Sequence, residues 1–297
     1  MDFREVRNDF DELKIYREDA EVLNWDKPKF SESPEKIIFV DGRQRHLLNY
    51  EGFPSKKVLI SQIVVGAIAY CCNELKLIEE PASYFIVART PSVGELKISL
   101  KGEYPIVEVV DSGELSQVSS RIMAEKELEL SRSLAEKGLG VVIKDGSLKP
   151  IFQLRIEPTF VRGSGPVGLV KSVQSVLDPD LEERILSDVE VGRRSKAFVA
   201  RYSENDRRID IVSSYIRIGK SSFVRLDAVF SRSVDMKDIL ELFDSLAKAL
   251  SDMTIDVQYG RYPNDIPPVQ GLEQILGAYL YDPLTVESLI HVEGGVL

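Results

Sequence analysis

Residues 36–42 read Lys-Ile-Ile-Phe-Val-Asp-Gly, and residues 141–146 read Val-Val-Ile-Lys-Asp-Gly. Each is a short apolar run, rich in β-branched residues, closed by an Asp-Gly pair. That is the pattern of a buried strand carrying a carboxylate to its end. The glycine has no Cβ, so backbone or ligand can come close. Asp-Gly is also a common turn pair, and neither stretch alone assigns a function. Between them a helix is expected from about Gly113 to Lys137, because Leu115, Val118, Ile122, Met123, Leu130 and Leu134 gather on one side. On that wheel Glu127 lies at the flank of the apolar face, roughly 60° from its centre, and Glu125 and Glu129 point further into solvent. Asp41, Glu127 and Asp145 are therefore the candidate ligands of a hard divalent cation, with Glu125 the alternative helix carboxylate.

Outward from these stretches the pattern is mixed. Strands are expected at Val58–Cys72, Tyr84–Ala88, Glu95–Leu100 and Ile106–Val110, with turn residues Pro91, Gly94 and Gly102 between the last three. They read as an antiparallel meander. After the helix, Gly138 and Gly140 break the chain before the second Asp-Gly strand. Ala197–Tyr202, Ile209–Ile218 and Phe223–Phe230 read as further strands, and Asp235–Leu250 and Pro267–Tyr281 as helices. The fold class is α/β, with a mixed, partly antiparallel sheet and flanking helices. Residues 1–35 read as an acidic helical extension, since Phe3, Val6, Phe10, Leu13 and Tyr16 recur at near-helical spacing and Pro28 and Pro34 end the pattern. Residues 36–297 form the main domain. No internal repeat or low-complexity tract is present.

The chain has 297 residues, 43% of them apolar, and a formal net charge of −10. Binding nucleic acid through bulk positive charge is excluded; such binding needs a local basic surface. His46 and His291 are the two histidines, which argues against His-rich zinc chemistry. Cys71 and Cys72 are adjacent, offer no disulfide framework, and read as small buried hydrophobes. The most apolar stretch, Val58 to Cys72, falls short of the roughly 20 residues that span a bilayer. The N-terminus has no secretory pattern, so no membrane association and a cytoplasmic location are expected.

Strand-Asp, helix-Glu, strand-Asp is also the carboxylate order of ribonuclease-H-like nucleases. Here the chain resembles the NurA nuclease family, the partners of HerA-type hexameric DNA translocases. The matching pieces are Phe39-Val-Asp-Gly42, then Arg121 and Glu127 leading through Leu134-Ala135 to Val142-Ile-Lys-Asp-Gly-Ser-Leu148. Val167-Gly-Leu-Val-Lys-Ser172, Ser213-Ser-Tyr-Ile-Arg217 and Arg261-Tyr-Pro263 follow in family order, so the resemblance runs from about residue 36 to 280. It implies a ribonuclease-H-like core, a homodimer, Mn2+- or Mg2+-dependent cleavage of DNA, a role in DNA end resection and repair, and metal positions at Asp41, Glu127 and Asp145. The chain carries no Walker-A pattern, so an ATP motor must be a separate polypeptide.

Around this centre, Lys171 is a candidate for contact with a substrate phosphate, which suits a point-charge ammonium. Tyr215 is a candidate for stacking or phosphate contact on DNA. Residues 193–220 hold eight basic and three acidic side chains, which makes Arg193, Arg194 and Arg217 candidates for tracking a phosphate backbone. The family places a His seven residues after its Tyr-Pro pair, and here that position is Gln270. Gln cannot exchange a proton near neutral pH. Asp265 and Glu273 stand nearby as substitutes, and the alternative function is a catalytically weak, DNA-guiding scaffold subunit of the same machine.

Overall fold

The computed structural model describes residues 20–52, 56–93, 97–100, 105–148, 160–171, 179–204, 207–220, 222–231, 233–254, 266–284 and 290–293. Its centre is a long antiparallel pair, β2 (Lys36–Gly52) and β3 (Lys56–Cys71), with β4 (Glu74–Leu77) and β5 (Ala82–Arg89) both pairing β3. β3 is buried continuously from Val58 to Ala69, as a strand covered on both faces must be. β6 (Lys97–Leu100) leaves this sheet and pairs with β13 (Ile290–Glu293), and β7 (Ile106–Val110) returns parallel to β5. The expected meander therefore holds for β2, β3 and β5 but not beyond. Period-two patterning marks a strand and gives no direction to it.

Helix α1 (Leu115–Glu136) then crosses to β8 (Val141–Asp145), which lies parallel to β2, and β9 (Val167–Val170) lies parallel to β8. After α2 (Pro179–Ser187), the strands β10 (Phe198–Glu204), β11 (Arg207–Arg217) and β12 (Phe223–Phe230) form an antiparallel set that joins β9 through β12. α3 (Met236–Met253) and α4 (Pro267–Ala278) follow. With β1 (Ala20–Val22) on the outer edge, the sheet order is β1-β10-β11-β12-β9-β8-β2-β3-β5-β7.

Strand alternation divides the core into two layers. Ile37 and Phe39 of β2, Ile143 of β8 and Leu169 of β9 pack with Ile239, Phe243 and Leu246 of α3 and Leu272 and Leu276 of α4. Ile38, Val40 and Val142 pack on the opposite face against Leu134 and Ala135 of α1. The expected helix over 113–137 is thus present, and Gly138, at φ +62, follows its end.

Three expectations change. Asp41 does not end its strand: β2 runs on through Gly42, with Asp41 opposite Gly66 and Gly42 opposite Val65, because the long β3 partner outweighs local turn preference. Cys71 is half-buried and Cys72 exposed, because Cys72 and Asn73, both with positive φ, form the β3–β4 turn. The helix expected near the N-terminus lies mostly outside the described residues. Residues 20–22 are strand, not helix, and pair antiparallel with β10. No helix among the described residues is long and apolar enough to cross a membrane.

Candidate metal centre

Two carboxylates are set by the sheet and a third by a helix. Asp41 continues the Ile37–Phe39 face of β2, and Asp145 continues the Val141–Ile143 face of parallel β8. On that face α4 crosses the strands, anchored by fully buried Leu272 and Leu276. Its close approach depends on Gly66, opposite Asp41, where an added Cβ would stand 2.9 Å from Leu276 Cδ2. Glu273 of α4 is thereby brought over the strands, and one oxygen each from Asp41, Asp145 and Glu273 lies within 4.8 Å of the others.

Basic groups surround the cluster. Lys171, just past the end of β9, places Nζ 2.9 Å from Asp145 Oδ2 and 3.6 Å from Glu273 Oε1. Arg43, two residues along β2 from Asp41, has Nη2 3.5 Å from Glu273 Oε2. Gly42 N–H donates to Asp41 Oδ1 at 2.8 Å. Burial first, then the charges of Asp145, Glu127 and Glu273, push Asp41 up to about 7 from the ordinary 3.8, while the Gly42 bond works the other way. Burial works against the Lys171 ammonium, yet Asp145, Glu273 and Asp41 hold its pKa above the usual lysine range.

These residues fit a hard divalent cation. The donors are all carboxylate oxygens, the set that suits Mg2+ and Mn2+. Asp145 Oδ1 is buried and, among the described residues, accepts no hydrogen bond. A buried acceptor left without a donor is costly, and a cation would satisfy it.

Glu127 is not in this cluster, yet its charge reaches Asp41 from the other face. It projects from α1 on the opposite face, 4% exposed, with Oε2 2.7 Å from Lys144 Nζ. Its Oε1 lies against β2, only 2.6 Å from where a Cβ on Gly42 would be. Burial raises its pKa, and the Lys144 ion pair opposes that rise. Lys144 Nζ also donates to the Asp145 carbonyl at 2.6 Å, so the pair braces the Asp145-Gly146 corner from behind. The structure thus brings Asp41 and Asp145 together, with Glu273 as the third carboxylate of the cluster. Glu125 is not in the cluster either. The signal for Glu273 was its position one turn after Gln270, which is itself half-buried on α4.

Of the four residues read as DNA contacts, Arg194 and Tyr215 are buried in the fold and Arg193 and Arg217 are partly exposed. Arg194 is 3% exposed, with Nη2 2.9 Å from Asp26 Oδ1 and Nε 2.8 Å from Asp244 Oδ1. Tyr215 is fully buried, its hydroxyl on Glu182 and its ring 5.5 Å from that of Phe198. Arg217 donates to the carbonyls of Val189 and Lys220. Arg193 stacks 3.8 Å over Phe30 and pairs with Glu190. A buried tyrosine and a doubly paired buried arginine cannot stack on or track a strand, so Tyr215 and Arg194 are withdrawn as DNA contacts. Arg121 holds Asp111 at 3.3 Å, and Asp111 accepts from Gly113 N–H at the entry to α1. Arg261-Tyr-Pro263 and Asp265 lie outside the described residues.

No protein-family model and no curated protein matches this sequence. Among solved structures, the crystal structure of the NurA nuclease from Sulfolobus solfataricus aligns at 13% identity, covering 84% of this chain and 81% of that one, with a TM-score of 0.49. A second crystal structure of NurA aligns at 10% identity over 92% of this chain and 90% of that one, with a TM-score of 0.39.

Proposed function

We propose that the protein is a divalent-metal-dependent deoxyribonuclease, with Mn2+ or Mg2+ held by Asp41, Asp145 and Glu273. The observation that carries this reading is the cluster: three carboxylates, delivered by two parallel strands and a helix, share one small volume. Carboxylates gathered in this way repel and resist ionisation unless a cation joins them. The strand order β5-β3-β2-β8-β9, with β3 antiparallel to the rest of the central strands and α1 leading into β8, supports a ribonuclease-H-like reading of the core.

A bound divalent ion supplies an activated water and charge stabilisation for phosphodiester hydrolysis. The chain's own groups prepare the place. Arg43 holds Glu273 through one oxygen, and the Lys144–Glu127 pair braces the Asp145 backbone from the other face. Lys171 and Arg43 also place positive charge beside the cluster for an incoming phosphate. DNA as substrate, a homodimer, a hexameric HerA-type translocase as partner and a role in end resection rest on the sequence motifs.

The test is incubation of the full chain with single-stranded DNA, with Mn2+, Mg2+ or EDTA. Cleavage that needs the ion, and that Asp145→Asn reduces by about a thousandfold or more, supports the reading. Cleavage unchanged in Asp145→Asn, or absent with both ions, contradicts it. Gln270 at the position of the family His favours one second reading, a weak nuclease that guides DNA; DNA binding without cleavage in the same assay would select it.

A further inference from the structure

Taking the Asp41–Asp145–Glu273 cluster as a metal centre, we infer that the Lys171 ammonium is its internal counter-ion, standing in the metal-free protein where a divalent ion must come, so that metal binding proceeds by displacing it. Its Nζ reaches two of the three carboxylates at once, Asp145 Oδ2 at 2.9 Å and Glu273 Oε1 at 3.6 Å. The other nearby cations are differently placed. Arg43 meets Glu273 through its other oxygen, Oε2, and Lys144 is engaged with Glu127 on the far face of the sheet.

An ion that ligates these oxygens sits about 2.0–2.6 Å from them. An ammonium hydrogen-bonded to the same oxygens would then stand within a few ångströms of a double positive charge, in a partly desolvated pocket where repulsion is strong. Both cannot keep their places. Lysine suits such a role, because its charge rides on a flexible four-carbon stem. The side chain is 24% exposed, so part of it already faces solvent. Asp145 Oδ1, the buried oxygen without a donor among the described residues, is the acceptor the ammonium leaves unsatisfied and an ion can take. The lysine thus lowers the cost of burying three carboxylates together and weakens the site for metal by the same contact.

A fixed, orienting lysine would behave in the opposite way: its removal would loosen Asp145 and weaken metal binding. The experiment is a Mn2+ titration of the EDTA-stripped full chain at pH 7.5, with free ion read by electron paramagnetic resonance, in wild type, Lys171→Met, Lys171→Gln and Lys171→Arg. Thermal melts with and without Mn2+ accompany it. Displacement predicts that Lys171→Met and Lys171→Gln bind Mn2+ about tenfold or more tightly than wild type. Their metal-free Tm falls, and their gain in Tm on adding Mn2+ exceeds that of wild type. Lys171→Arg, which keeps the charge, shows no such tightening. Equal or weaker Mn2+ binding by both neutral variants overturns the inference and leaves the metal centre standing. Absence of Mn2+ binding in wild type, or binding that survives Asp145→Asn, overturns the centre and the inference with it.

Discussion

At the scale of single residues, Asp41 carries the plainest consequence of gathering acids. Burial and its three carboxylate neighbours push it up to about 7 in the folded chain, against 3.8 for the ordinary side chain. Between those values the folded protein holds a proton that the unfolded chain has released, so stability is greatest below the unfolded value and declines as pH rises toward 7. The metal-free Tm should therefore fall between pH 5 and pH 7.5, and added Mn2+ should raise it more at pH 7.5. A metal-free Tm that climbs over this range would contradict the assignment. Glu273 and Gln270 give a second residue-scale test. With Glu273 already in the cluster, Gln270→His should change cleavage by less than about threefold, while Glu273→Gln should cost about a hundredfold or more. Asp41 and Asp145 were legible in the sequence because each closes a run of buried β residues. Which face Glu127 stands on was not legible, because a helical wheel shows which side of a helix is apolar and not which face of the sheet the helix covers. Arg194 was misread because its partner Asp26 lies 168 residues away, and local charge counting does not find such a pair.

At the scale of elements, the centre depends on how closely α4 approaches β2 and β3. Gly66 is the position that permits it, since any Cβ there meets Leu276 at 2.9 Å and Pro81 at 3.3 Å. Gly66→Val should lift the helix, lower stability by about 1–3 kcal/mol and weaken Mn2+ binding together with it. Calorimetric titration beside thermal melting checks both, and unchanged Mn2+ affinity would show that α4 does not depend on this contact. The elements themselves were largely readable. Helix α1, the strands β10 to β12 and helices α3 and α4 follow their hydrophobic periods. The parallel return of β7, the short β9 and the extension of β2 through Asp41-Gly42 were not, because direction and pairing are settled by tertiary contacts.

At the scale of the whole molecule, a buried charge network links the N-terminal edge to the helical layer. Arg194 bridges Asp26, just after β1, to Asp244 of α3, and Asp26 also accepts from the Ala197 amide. Arg194→Met leaves two acids without their cation and should cost about 3–5 kcal/mol in unfolding free energy. DNA affinity per folded molecule, measured by fluorescence anisotropy, should stay within about twofold of wild type. A large loss of affinity with unchanged stability would restore Arg194 as a DNA contact. Anomalous diffraction from crystals soaked in Mn2+ tests the three-carboxylate centre itself. An ion should appear within about 2.0–2.6 Å of oxygens from Asp41, Asp145 and Glu273, with Glu127 still on Lys144. An ion held by Glu127 in place of Glu273, or no ion between the two strand carboxylates, would contradict it.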